Sequence, residues 1–175
     1  MLIGDYFKYL NSKYESHYFS GLSFNSLKCK KDNIFFAIQG NESDGNKFVE
    51  NAIKNGAKTI VSNQKYQGYK NKILYIYCSN VRKLLAEIAF SVYKARPKNL
   101  IAVTGTNGKS SIANFYFQIL NINKKKVASI GTLGIQTNHS KGLVTNTTLD
   151  PITLGRCLEK LKKNKIENVI LEASS

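Results

Sequence analysis

The sequence predicts an α/β protein made of two successive units, 1–96 and 97–175, each with a mainly parallel sheet. Three observations lead there. Short apolar runs of strand length, at 34–38, 59–61, 73–76, 100–104, 127–130 and 169–171, alternate with stretches whose apolar residues recur every three or four positions. Strands that alternate with helices pair in parallel through right-handed crossovers. The pattern breaks once, at Ala95-Arg96-Pro97-Lys98-Asn99, where proline disfavours helix at the residue before it and a new strand follows directly.

Taken in order, Ile34-Phe35-Phe36-Ala37-Ile38 is a buried strand ahead of a turn at 40–45, and Phe48, Ala52 and Ile53 carry a helical period up to Gly56. Strands at 59–61 and 73–76 come next. Within 81–93, Leu84, Leu85, Ile88, Ala89 and Val92 share one helical stripe. The second unit opens with a strand at 100–104 that runs into a Gly-rich turn, after which Ile112, Phe115, Tyr116, Ile119 and Leu120 restore the helical period. A strand at 127–130, an irregular stretch, a helix at 152–163 opened by Asp150-Pro151, and a strand at 169–171 complete the chain. The second sheet has too few strands to close a nucleotide-binding fold, and its last strand is expected to leave an unpaired apolar edge that weakens this unit.

Composition narrows the functional classes. Hydrophobic residues make up 42% of the chain, enough for a buried core, and no segment has the length and apolarity to cross a bilayer. With no basic start followed by an apolar run, the expectation is a cytoplasmic protein with no membrane partner. Cys29, Cys78 and Cys157 are scattered and far from His17 and His139, which suggests neither a disulfide framework nor a zinc site. The formal charge of +15 invites a nucleic-acid reading. Of the 26 basic residues, however, only Arg82, Arg96 and Arg156 carry the flat guanidinium fork favoured in phosphate and base recognition, and the lysines are spread over the whole length. The charge therefore reads as a solvated lysine-rich surface that attracts anionic substrates, with no nucleic-acid partner.

The sharpest feature is Gly105-Thr106-Asn107-Gly108-Lys109-Ser110-Ser111, set between a strand and a helix. A Gly-rich turn there aims several backbone N–H groups and the positive end of the helix dipole at one point, as a polyphosphate requires. Lys109 is the candidate catalytic residue, a point charge over the β and γ phosphates, and the Ser110 hydroxyl is a candidate Mg²⁺ ligand. Val103 stands where the common phosphate-loop pattern has its first glycine, which weakens the case for a generic nucleotide kinase or GTPase.

The segment from Val103 to Ser111 resembles the ATP loop of the Mur ligases and of their relatives, the folylpolyglutamate synthetases. Ser23-Phe24-Asn25-Ser26-Leu27, the strand at 34–38 and the stretch at 40–48 are similar to the amino-terminal UDP-binding domain of the Mur ligases that add the third peptide residue or the terminal dipeptide. Folylpolyglutamate synthetases lack that domain and usually carry glycine where Ser110 stands. Asn146-Thr147-Thr148-Leu149-Asp150-Pro151 and Leu171-Glu172-Ala173-Ser174-Ser175 are similar to segments that mark the third-residue branch.

The resemblance implies a small amino-terminal UDP-binding α/β domain followed by a truncated P-loop-type, mainly parallel α/β ATP-binding domain. It places Phe24, Ser26, Asn41, Glu42 and Ser43 on the uridine diphosphate, Asn146, Thr147, Thr148 and Ser174 on the sugar-peptide, and Ser110 with Glu172 on Mg²⁺. The family's Asp-Ser-Arg stands here as Asn25-Ser26-Leu27, without the charges at its ends. From the residues alone, 41–45 is also a polar turn after a strand, Asn146 to Thr148 a cap for the following helix, and Glu172 a solvated strand end. The activity implied is ATP-dependent amide formation in peptidoglycan synthesis: an acyl phosphate forms on UDP-N-acetylmuramoyl-L-alanyl-D-glutamate and is opened by an amino acid, diaminopimelate or lysine. A cytoplasmic monomer using ATP and Mg²⁺ is expected, inactive in this span alone because further metal and adenine contacts lie downstream in the family. The alternatives are the ligase that adds the terminal dipeptide, or a non-catalytic UDP-sugar or nucleotide-binding remnant.

Overall fold

The computed structural model describes residues 1–8, 10–40, 43–142 (only the backbone at Lys141) and 148–173. It divides into two units, Met1–Val92 and Tyr93–Ser175, each with a five-stranded sheet.

In the first unit β1 (Gly21–Ser23), β2 (Asn33–Phe36), β3 (Ala57–Ser62), β4 (Gly68–Lys70) and β5 (Ile73–Tyr77) are arranged in the order β1-β2-β3-β5-β4. All neighbours are parallel except β4, which runs antiparallel to β5 at one edge. Every residue of β2 is buried, as is nearly all of β3. Strands covered on both faces read as continuous apolar runs, which is why these were legible. Helix α1 (Val49–Lys54) follows a 3₁₀ turn at Gly45–Phe48 and sends Ala52 into a core with Phe35, Ala37, Ala57, Ile60 and Ile73. Helix α2 (Val81–Val92) buries Val81, Leu85, Ile88 and Ala89, while Leu84 and Val92 stay half-exposed at the margins of the stripe.

His17 is half-buried in this unit, with Nδ1 hydrogen-bonded to the Tyr69 hydroxyl at 3.0 Å and a buried Nε2 that has no partner among the described residues. Burial pulls its pKa below the ordinary 6.5, against the opposing charge of Asp32. The folded state thus favours neutral imidazole, and the unfolded state takes up the proton first as pH falls. The contribution is fully present above pH 6.5 and is lost on acidification through that value. In denaturant titrations the first unit is expected to be less stable at pH 5 than at pH 7.5, and His17→Gln is expected to flatten this dependence.

The second unit contains β6 (Asn99–Val103), β7 (Val127–Gly131), β8 (Gly134–Thr137), β9 (Lys141–Gly142) and β10 (Asn168–Glu172), in the order β6-β10-β7-β8-β9. The mixed, mainly parallel α/β class read from the sequence holds in both units. One expectation is corrected. The last strand is not an edge: β10 lies between β6 and β7 and pairs in parallel with both. The edges are β9 and β6, and in β6 Leu100 and Ile101 are 39% and 41% exposed. The stretch taken as irregular also holds the antiparallel hairpin β7–β8, closed by Thr132 and Leu133 with Gly134 at φ 94°, and then β9.

Helix α3 (Lys109–Ile122) buries Ala113 and half-buries Tyr116, Phe117 and Leu120; Ile112, Phe115, Ile119 and Ile122 form an exposed stripe. Its apolar period therefore marks the helix correctly but does not tell which stripe meets the sheet. Helix α4 (Pro151–Lys163) is capped by Asp150, whose carboxylate accepts from the N–H groups of Ile152 and Thr153, both at 3.0 Å, and its last turn carries Lys160, Lys162 and Lys163 at the negative end of the dipole. Gly155 lets the Tyr93 ring lie on this helix: a β-carbon there would sit 2.4 Å from Tyr93 Cδ2 and 2.9 Å from its Cβ. Arg156 Nε donates to the Tyr93 hydroxyl at 3.0 Å, holding the ring in place.

Gly155→Ala opposes two effects, since alanine favours helix by roughly 1 kcal/mol while overpacking costs about 1–3 kcal/mol. Because the clash reaches the root of the Tyr93 side chain, a net loss on the order of 1 kcal/mol is expected in chemical denaturation. The same change made in a Tyr93→Ala background, which removes the ring and leaves only the 2.9 Å approach to Cβ, is expected to cost less than it does in the wild type.

Candidate functional site

The Gly-rich turn leaves the end of β6 and enters α3 at Lys109. Gly105 has φ 145° and Gly108, the N-cap of α3, has φ 78°. A β-carbon on Gly108 would meet nothing within 4 Å, so conformation and not space requires glycine there. Gly108 offers no side chain to cap the first turn. The leading N–H groups of α3 and its positive dipole end therefore face an exposed loop containing Thr106 and Asn107, suited to an anion. Ser111 is exposed in this first turn, and Lys109 Nζ donates to the Gly105 carbonyl at 2.6 Å, keeping the ammonium over the loop.

Ser110 turns the other way, and its hydroxyl donates to Glu172 Oε2 at 2.8 Å. Glu172 ends β10, in register with Val103 at the end of β6. It is only 4% exposed. Thr132, just past β7, donates its N–H to Oε1 at 3.2 Å and its hydroxyl to Oε2 at 3.0 Å. The central position of β10 thus brings the ends of three strands and the start of a helix onto one carboxylate. The reading of Glu172 as a solvated strand end is excluded.

Among the described residues no lysine or arginine forms an ion pair with Glu172, so the buried carboxylate is held by neutral donors. A carboxylate out of water calls for a cation. Two hard oxygen ligands, the Ser110 hydroxyl and Glu172, fit Mg²⁺, which commonly takes one or two protein oxygens and fills its octahedron with phosphate and water. An all-protein cage is not the pattern here: among the described residues no group of three or more His, Cys, Asp or Glu side chains converges.

In the first unit, β1 and β2 are parallel neighbours with Ser23 opposite Phe35, so the loops after them leave the same edge of the sheet. That carboxyl-terminal edge is where parallel sheets collect ligands. Phe24 is 41% exposed in the first loop. Ser26 is buried, and its carbonyl accepts from Asn55 Nδ2 at 2.9 Å. Asn25 caps the 3₁₀ turn Ser26–Lys28 by accepting from the Leu27 N–H at 2.9 Å, a local role that needs no charge. The second loop is closed by Gly40 N–H to the Ser43 carbonyl at 2.9 Å and Gly45 N–H to the Ile38 carbonyl at 3.0 Å. A β-carbon on Gly45 would lie 2.6 Å from the Ile38 backbone, so glycine is required for space. Ser43 is exposed on this loop.

Asn41, Glu42, Asn146, Thr147 and Ser174 lie outside the described residues. Thr148 sits exposed in a bend ahead of α4. Asp150 supplies that helix's cap through the N–H groups of Ile152 and Thr153. A separate groove of about 870 Å³ in the first unit, lined by residues such as Phe7, Tyr77, Asn80 and Lys83, includes none of Phe24, Ser26 or Ser43. The cysteines are free, and burial raises the pKa of Cys29 and of Cys157, which leaves them poor nucleophiles. Sequence reasoning missed Thr132. The signal available was a Gly-Thr pair directly after an apolar strand.

Known proteins give a consistent match. The model of the Mur ligase middle domain matches residues 103–175, and that of the Mur ligase family catalytic domain matches residues 18–93. The UDP-N-acetylmuramoyl-L-alanyl-D-glutamate–2,6-diaminopimelate ligase of Rickettsia prowazekii (strain Madrid E) is 38% identical over 170 residues, covering 95% of this chain and 35% of the relative. The ligase of the same name from Bradyrhizobium diazoefficiens is 34% identical over 156 residues, covering 89% of this chain and 32% of the relative. A solved structure of a ligase of that name superposes with a TM-score of 0.75 at 28% identity, over 94% of this chain and 34% of the other. The MurF ligase of Thermotoga maritima in complex with ADP, at 23% identity and a TM-score of 0.54 over 87% of this chain and 31% of the other, shares the fold. The chain spans about a third of the length of the curated relatives it matches. Its two units are each matched by a Mur ligase model, and sequence and fold lead to the same ligases: the chain belongs to the Mur ligase family.

Proposed function

We propose that this chain provides the UDP-substrate-binding and ATP-binding parts of a ligase that adds the third amino acid, diaminopimelate or lysine, to UDP-N-acetylmuramoyl-L-alanyl-D-glutamate in peptidoglycan synthesis. The observation that carries the reading is the uncapped start of α3 beside a buried Glu172 that is hydrogen-bonded to Ser110 at 2.8 Å. Phosphate-binding N–H groups and two hard oxygen ligands stand together there. In the relatives' names the same reaction recurs. The protein acts in the cytoplasm as a monomer, and among the described residues no helix is long and apolar enough to cross a membrane.

Residues 1–96 hold the uridine diphosphate, with Phe24 offering an apolar face and Ser26, Asn41, Glu42 and Ser43 polar contacts. Residues 97–175 hold ATP, with Gly105, Thr106, Asn107, Gly108, Lys109, Ser110 and Ser111 around the phosphates. Asn146, Thr147, Thr148 and Ser174 grip the sugar-peptide without adding a charge. Lys109 and the α3 dipole neutralise charge on the transferred phosphoryl group, so the loop acts by positioning and electrostatics. Ser110 and Glu172 hold Mg²⁺, which when bound offsets the charge of the phosphate oxygens. The reaction class is amide formation through an acyl phosphate, and no Ser or Cys nucleophile takes part.

Calorimetric titration of the chain with Mg²⁺·ATP and with UDP tests the two halves separately. A hydrogen bond to a charged group contributes about 1.5–3 kcal/mol, so Lys109→Ala is expected to weaken ATP binding roughly 10- to 100-fold while leaving AMP and UDP unaffected. Phe24→Ala is expected to weaken UDP binding and leave ATP unchanged. An ATP affinity that survives Lys109→Ala within a factor of about two would remove the loop from the phosphate site.

A further inference from the structure

We propose that Gly131 and Thr132 are positioning residues for the metal-binding carboxylate of Glu172, an inference that rests on the Mg²⁺·ATP reading of the loop. Thr132 grips both carboxylate oxygens, through its N–H to Oε1 at 3.2 Å and its hydroxyl to Oε2 at 3.0 Å. Two bonds from one residue to the two oxygens fix the rotation of the carboxylate plane as well as its place. Ser110 also bonds Oε2, but its hydroxyl is itself a ligand in the reading above, so Thr132 is the contact that belongs to neither the ion nor the phosphate loop.

Gly131 supplies the space. A β-carbon there would fall 2.2 Å from Glu172 Oε1, 2.4 Å from its Cδ and 2.6 Å from its Cγ. Gly131 is paired in β7 and is not among the residues with positive φ, so the demand for glycine is one of volume alone. The end of β7 is thus hollowed at one residue and armed with two donors at the next, both directed at the same side chain. Their action is to hold a lone buried carboxylate in the one orientation that faces Ser110, and so to lower the cost of ordering it when a cation arrives.

The test uses the full chain, a fluorescent ATP analogue, and Mn²⁺ as the metal probe, with affinity measured in Mn²⁺ and again in EDTA. Wild type is expected to bind more tightly in Mn²⁺. Partners of this kind change metal affinity roughly 10- to 100-fold, so Thr132→Val and Thr132→Ala are each expected to lose at least about tenfold of the Mn²⁺-dependent strengthening, with the EDTA affinity kept. Thr132→Ser, which retains the hydroxyl and the N–H, is expected to keep it. The proposal is overturned if Val and Ala variants show the full wild-type response to Mn²⁺, if serine fails as they do, or if both variants lose metal-free binding equally, which marks a folding role. A wild-type chain that binds no ATP in either condition would sink the nucleotide reading itself, a result distinct from an unchanged Thr132 variant on a chain that binds.

Discussion

The second unit is organised around a buried carboxylate. Glu172 stands out of water at the end of the central strand, where donors from the start of α3 and the turn after β7 meet its oxygens. That meeting depends on the strand order: β10 has to lie between β6, which leads into the phosphate loop, and β7, which leads into Thr132. Had β10 been an edge strand, the carboxylate could face the loop or Thr132 but not both. The sheet topology and the site chemistry are therefore one constraint, and the glycine at 131 is where the backbone gives way to it.

The first unit applies the same rule with different chemistry. Parallel neighbours β1 and β2 release their loops at one edge, and each loop is stiffened by its own backbone and side-chain bonds: Asn25 over the turn at Ser26–Lys28, Gly45 and Gly40 across 38–45. Asp44 adds to this by accepting from the N–H and the side-chain amide of Asn46, at 2.9 and 2.8 Å. The capped turn at Ser26–Lys28 is held by its own bonds, so a ligand meeting it does not have to order it.

What could be read from the sequence was local. The strand, glycine turn and helix of the phosphate loop are contiguous, and Asp150-Pro151 announces α4 within two residues. Strands β2, β3 and β10 were legible because burial on both faces leaves an unbroken apolar run. Strands β1 and β4 were not, being three residues long and carried by neighbours more than by their own composition. The placement of β10 was misjudged because strand order is set by contacts between residues far apart, such as Asn168 with Asn99 and with Val127. For the same reason Glu172 could be suspected from its strand end, while its bond to Ser110, 62 positions away, and its cradle at 131–132 became visible only in three dimensions.

The most direct measurement is a crystal structure of the chain grown with a non-hydrolysable ATP analogue and Mn²⁺, with the ion located by its anomalous signal. The result expected is a triphosphate over residues 105–111 and an ion bonded to both the Ser110 hydroxyl and a Glu172 oxygen. Phosphates and ion bound elsewhere, with Glu172 still joined only to Ser110 and Thr132, would contradict the assignment of this carboxylate as the metal-binding centre of the second unit.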